Sequence, residues 1–557
     1  MKDFFKSRAG ELVIVALVFF SAILFFTITP DDYGSFSYFS LPSGQFSDFS
    51  CIDYYYLGVI GLSTVYKFFY GILPAYNWMG ISFLAFGVLA LYLILRAIKD
   101  VVLKNNDNPY LLRTIQVLFA LFFIENFVSI SHTRYSLLLC GIGLFNLAFT
   151  KDIKWKGVIT NTLLFVLGML IRPESSIGML LLVSIGYLIY CFDLKHWVTR
   201  LFFPMAATGI LFTAFAIDWA HTTLYVKQVE PEIEYKIMDR RVVPLATMKT
   251  AKDSIKYEVA MQGMWFDTAV LSPKFLRSLL LPGMNLSPAH ACSIFFHLVS
   301  LYKYYLFIPF LLGGFLLLGL FGQVERSVFL KIIVFQLAVF GLIYALDFNG
   351  SLVAGRHFLI LQLIALLITS FYFSHGVYRF GRTAVVIYMA AVFCSTAITL
   401  WHYKKYNHAI AQSNECCESY MQNIENTYHN RIIVTTMGSV YLMNHNFSVK
   451  HKNYTKNKWL LYDAFTYSLS PDYTAYLSRQ CNCNATDPVA FYSWLASQNG
   501  LYMSNQRYFD LTKEYMNVIH NQPLRFVPDK HLEKPECIFS TNLPDVDVLR
   551  VAIGDEH

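Results

Sequence analysis

Apolar stretches of spanning length, separated by short polar turns, leave this chain few folds. In hydrocarbon, every backbone N–H and C=O must be bonded within its own segment, so such stretches become helices. They fall near 11–28, 77–97, 111–129, 135–150, 156–171, 176–192, 200–217, 304–321, 328–346, 357–374 and 383–401. They predict an all-α polytopic membrane domain over 1–401, with about eleven transmembrane helices. Composition agrees: of 557 residues, 55% are hydrophobic and only 15% charged, more apolar surface than a soluble chain hides readily. Aromatics at 17% suit interfacial belts. The net charge of +7 is modest. Cytoplasmic loops account for most of it, so it argues against nucleic-acid binding.

Charge also orients the chain. Lys2, Lys6 and Arg8 precede the first run, which is long enough to span and is followed by no small-residue cleavage site. We read it as an uncleaved span with a cytoplasmic N-terminus. Loops 96–113, 151–156, 193–200, 324–331 and 378–382 then lie in the cytoplasm, and each carries at least two Lys or Arg. Segment 54–73 is apolar and aromatic but broken by Lys67, Gly71 and Pro74, and reads as a helix lying in the outer interface. Loops 29–76 and 218–302 are external, as is the tail 402–557, which is expected to form a small mixed α/β extracytoplasmic C-terminal domain. Cys416, Cys417, Cys481, Cys483 and Cys537 in the tail, with Cys51 in the first loop, predict disulfides of open connectivity in an oxidising compartment. Cys481-Asn482-Cys483 has no companion ligands for a metal site.

The same topology gathers reactive groups on the outer face. Asp31 and Asp32 directly follow the first span; neighbouring carboxylates raise each other's proton affinity, which suits a general base. The plain alternative is a solvated Pro-Asp turn. Arg172, at the outer end of a span before Pro173 and Glu174, either binds an anion or snorkels with Glu174 as its partner. Arg356 and His357 open a late helix, where backbone N–H groups and cations together suit phosphate or serve as an anchor. His132 and Arg134 occupy an external turn. Glu125, a rare acid inside a span, pairs with Arg134 or Arg172 or lines a wet cavity. A carboxylate that takes a proton from an acceptor hydroxyl, facing cations that stabilise a departing phosphate, fits this set. At the lipid boundary, a lipid phosphate is the natural donor.

These features resemble the GT-C superfamily of polyprenyl-phosphate-sugar-dependent glycosyltransferases. The likeness rests on the acidic pair after span one, on Arg172-Pro173 ending a middle span, on Gly355-Arg356-His357-Phe358 starting a late one, and on the layout of about residues 1–400. It implies a catalytic Asp31 or Asp32, with Arg172, Arg356, His357, His132 and Arg134 holding the donor phosphate and Glu125 and Glu174 in support. It implies a polyprenyl-phosphate sugar donor and an extracytoplasmic glycan or glycolipid acceptor, such as O-antigen or lipopolysaccharide, in a bacterial inner membrane with a periplasmic tail. Family members differ in their use of a divalent cation. The late motif usually reads Arg-Tyr, whereas here it is Arg356-His357, and no WWDYG-like motif points to transfer onto protein asparagine. The nearest alternatives are an O-antigen polymerase or ligase, or a lipid-linked substrate transporter or flippase. A transporter predicts helices broken within the membrane and repeated halves, which the sequence does not display. Trp459, Tyr462, Tyr467, Tyr473, Tyr476 and Trp494 in the tail are either sugar platforms or its core.

Overall fold

The computed structural model describes residues 8–30, 62–103, 109–151, 153–191, 193–221, 237, 242–281, 288–320, 325–348, 355–374, 382–436, 439, 446–450, 454, 456–462, 471–530, 532 and 546–554. The chain divides into two units. One comprises Met1–Ile28, Ser82–Ala214 and Met284–His408, and the other Thr29–Ile81, Phe215–Gly283 and Ala409–His557. The stretch 218–302, expected as one external loop, is therefore shared between them.

The first unit is built mainly of helices, and each expected span overlaps one, although the expected span 111–129 is broken at Phe123 and ends in extended chain at Ser129–Ile130. Among the described residues, seven helices are long and apolar enough to cross a membrane, or eight if Ala291–Tyr304 and Phe307–Gly314 count as one broken span. That pair bends by 89°, with Tyr305 and Leu306 at the corner. The centre of the unit is the His132–Phe149 helix, buried at every position except Asn146. It packs against Trp155–Ile171, Pro173–Cys191 and Gly355–Ser374. Glycines permit the closest approach. A Cβ on Gly143 would lie 2.7 Å from Asn161 O, and one on Gly168 would lie 2.7 Å from both Ser136 O and Cys140 Sγ. Small residues let helix backbones touch where lipid supplies no hydrophobic drive for association.

At one end of this unit, cations close helix C-termini, where carbonyls have no helical partner and the dipole is negative. Arg200 donates to the carbonyls of Ala148, Thr150 and Lys151 at 3.2, 2.6 and 2.8 Å. Lys331 Nζ donates to Tyr190 O at 2.7 Å. Glu11, fully buried in the Arg8–Phe25 helix, lies 3.5 Å from Lys99 Nζ, which sits on a π-helical turn at Ile98–Val102.

The second unit carries a five-stranded mixed sheet. Its strands are β1 (Ile432–Thr435), β2 (Lys458–Leu461), β3 (Leu501–Asn505), β4 (Leu524–Pro528) and β5 (Val546–Ile553), in the order β2-β1-β3-β5-β4. β2, β1 and β3 run parallel, and β5 pairs antiparallel with β3 and β4. The buried runs in β1, β2 and β3 match a sheet covered on both faces. Residues of the Ala251–Met261 and Gln506–His520 helices belong to its core, as do those from Cys417 to Ile424 of the Arg382–Thr427 helix. Two buried carboxylates pin loops to this core. Asp267 accepts from Tyr515 OH at 2.8 Å, from Val270 N at 3.0 Å, and contacts His520 Nε2 at 2.7 Å. Glu425 accepts from Trp459 Nε1 at 2.6 Å and Lys456 N at 3.0 Å.

Trp459, Tyr462, Tyr473 and Tyr476 are buried and Trp494 is half-buried, so these rings form the core of the unit; Tyr467 lies outside the described residues. Cys481 and Cys483 are joined as a disulfide and Cys416 is also disulfide-bonded, whereas Cys417, expected in a disulfide, is a free thiol buried in the core of this unit. Cys51 and Cys537 lie outside the described residues. The Leu62–Ile72 helix also belongs to this unit.

Candidate functional site

The helical unit gathers several of the expected residues at the end opposite its Arg200 and Lys331 caps. The Pro109–Phe122 helix stops at Phe123, a single helical turn Ile124–Val128 follows, and the chain extends through Ser131 before the His132–Phe149 helix begins. This tight reversal returns Arg134 to Glu125. Arg134 Nη2 donates to Glu125 Oε1 at 2.7 Å, and Nη1 donates to Asn126 Oδ1 at 3.2 Å. Tyr135 OH closes the turn by donating to Asn126 O at 2.6 Å. The pair is deeply buried, with 3% of the arginine and 9% of the glutamate side chain exposed. In such surroundings a charge is tolerated only when paired and hydrogen-bonded.

Tyr305, at the corner of the bent helix pair, donates to the same Glu125 oxygen at 3.0 Å. Its hydroxyl also lies 3.3 Å from Gly355 O, at the first residue of the Gly355–Ser374 helix. A hydroxyl has one proton, and the shorter contact to a carboxylate is the stronger claim on it. With Oε1 accepting two bonds, Glu125 is committed to holding this turn together. A narrow cavity, roomy enough for about one water, lies beside Glu125 and Tyr305 and is walled by Phe122, Phe307, Leu359, Thr399 and Tyr403.

Arg172 ends the Trp155–Ile171 helix in extended conformation, and Pro173, whose fixed φ suits a first helical position, starts the next. Arg172 Nη1 donates to Thr133 Oγ1 at 2.5 Å and lies 3.4 Å from His132 Nε2. Its Nε lies 3.6 Å from Glu174, a carboxylate half exposed to solvent. Ser136 Oγ is within 2.7 Å of Gly168 O and 3.1 Å of Arg172 O, which fixes the backbone there. Of the two guanidinium groups, Arg172 is the more accessible, at 17% exposed against 3%. It is the better placed to meet an anion from outside, while Arg134 is engaged inside.

The expected residues thus fall into three groups. Glu125, His132, Arg134, Arg172 and Glu174 come together. Arg356 and His357 lie in the first turn of the Gly355–Ser374 helix, whose start Tyr305 touches; the Arg356 side chain is outside the described set, and His357 is half-buried. Asp31 and Asp32 lie outside the described residues. Sequence reasoning missed Tyr305, and gave no role to Thr133 and Asn126, which lie in the same stretch as His132, Arg134 and Glu125. The run Tyr302-Lys303-Tyr304-Tyr305 before Pro309 was the available signal for the first. Among the described residues, no three His, Cys, Asp or Glu side chains gather as metal ligands.

No family model matches the chain, and neither a curated protein nor a solved structure is similar to it.

Proposed function

We propose that this protein is an integral membrane glycosyltransferase of the GT-C type, transferring a sugar from a polyprenyl-phosphate donor to an extracytoplasmic glycan or glycolipid. One observation carries the reading. Arg172, at the end of one helix, meets His132 and Thr133 at the start of another that also carries Arg134, at the end of the helical unit where the Arg356-bearing helix begins. In this mechanism, Asp31 or Asp32 takes the proton of the acceptor hydroxyl as its oxygen attacks the anomeric carbon. The bond from that carbon to the phosphate oxygen breaks, and the leaving phosphate is held by Arg172 and Arg356, with His132 and His357 beside them. Glu125 and Arg134 keep the cradle in shape. The proposal includes about eleven spans, a cytoplasmic N-terminus and a periplasmic tail in a bacterial inner membrane. The cations capping helices at the opposite end support that orientation.

The test is sugar transfer from lipid-linked donors in membranes holding each variant at equal abundance. Asp31→Asn or Asp32→Asn is expected to lower transfer by about a hundredfold or more, as removal of a general base does. Full activity in both variants overturns the assignment.

The 89° bend at Tyr305 favours a second reading, a transporter of lipid-linked substrate, because broken helices beside buried charges are typical of transport sites. It predicts that purified protein in vesicles moves a lipid-linked sugar between leaflets with no sugar transferred.

A further inference from the structure

The Leu62–Ile72 helix is turned inside out relative to the surface helix of a soluble protein. Tyr66 and Tyr70, with their polar tips, are buried at 4% exposure each. Val65, Phe68, Phe69 and Ile72, spaced i, i+3, i+4 and i+7 on one face, are open at 46%, 63%, 39% and 57%. Leu73 continues the stripe. A contiguous apolar face of this kind marks an interaction surface.

Its neighbours identify the occupant. Tyr70 OH accepts from Met79 N at 3.4 Å. The rings of Phe69 and Trp78 stack with centroids 5.0 Å apart, and Trp78 Nε1 donates to Leu73 O at 3.0 Å. Trp78 is the first residue of a 25-residue helix, Trp78–Val102, apolar enough to span. The stripe is therefore tied, within one unit, to the point where the chain enters the bilayer. Tryptophan prefers that headgroup level.

We infer that the Leu62–Ile72 helix is a membrane-surface helix whose Val65–Phe68–Phe69–Ile72 face lies in the lipid headgroup and upper acyl region of the bilayer that the helical unit spans. The inference is independent of the transfer chemistry, since it requires only that Trp78 begin a span.

The experiment uses the full chain in lipid nanodiscs, with an environment-sensitive fluorescent amino acid at position 68 or 72, or at exposed position 514 for comparison. Lipids carry a spin-label quencher either high or low on the acyl chain. The expected result is blue-shifted emission at 68 and 72, quenched at least twofold by the high label and less by the low one, with no quenching at 514. Water-like emission at 68 and 72 overturns the inference. So does blue-shifted emission that neither label quenches, which shows that protein, either residues of this chain or a second copy, covers the face. The two positions are exposed, so neither label disturbs the core.

Discussion

Tyr305 contributes a single proton to a buried carboxylate, and its removal separates positioning from folding. Hydrogen bonds to charged groups are worth about 1.5–3 kcal/mol. Tyr305→Phe keeps the ring packing, so expression is expected to hold while the proposed sugar transfer falls about tenfold or more. Unchanged transfer would mean that the corner needs only the ring. Arg134 is a different case. Arg134→Ala strands the Glu125 charge in a buried setting, a loss of about 3–5 kcal/mol. The thermal midpoint in detergent is expected to fall sharply, whereas Glu125→Gln combined with Arg134→Met recovers most of it. Failure of the double variant to recover would show that the pair does more than neutralise itself. The Glu125–Arg134 pair was half legible in sequence: a rare acid nine residues from an arginine across a predicted turn needed a partner, but Arg172 or a wet cavity served equally well until the structure placed Arg134 against it. Tyr305 was not legible: its role depends on where a later helix bends, and that is set by packing across the unit.

At the scale of elements, the contact between His132–Phe149 and Trp155–Ile171 is the most sensitive to added volume. Gly168→Ala places a methyl group 2.7 Å from Ser136 O, and overpacking of this kind costs about 1–3 kcal/mol. Because Arg172 lies four residues further on, the proposed transfer should fall along with stability, and Gly168→Leu should abolish folded protein. A Gly168→Leu variant that is stable in detergent would contradict this packing. Hydropathy laid each expected span over helix because lipid-facing and buried apolar surface look alike to it, though it did not see the break at Phe123 within 111–129. For the same reason it could not tell that His132–Phe149 sits at the centre. It also missed Pro288–Tyr304, where His290, His297, Ser293, Ser300 and Lys303 dilute the apolar signal.

For the molecule as a whole, the sheet-bearing unit has its own dependence on pH. Burial, with the nearby Glu425 charge adding to it, pushes the Tyr454 phenol well above its usual value. Below a pH of about 10, the phenol is neutral whether the unit is folded or not, so this group adds no pH dependence. Above that, the unfolded chain ionises while the folded one does not, so stability falls as pH rises toward the raised folded value. Alkaline titration should show the tyrosinate absorbance of Tyr454 appearing together with loss of the sheet. Tyr454→Phe should shift that transition to higher pH, and an unchanged transition would assign it to other groups. The tail's fold was only partly legible in sequence. Its aromatics marked a core, but the buried Asp267 contact to His520 joins residues far apart in sequence, and local pattern carries no trace of such a contact.

The enclosure of His132–Phe149 bears on how the protein is made. The ribosome delivers this helix, with its polar start, before any of the three helices that later surround it. Glu125 and Asn126, which bond Arg134 in the folded chain, have already emerged by then. If insertion follows chain order, this upstream turn is a built-in escort that can neutralise the charge within a local hairpin. The helix can wait for its packing partners without holding a naked cation in lipid.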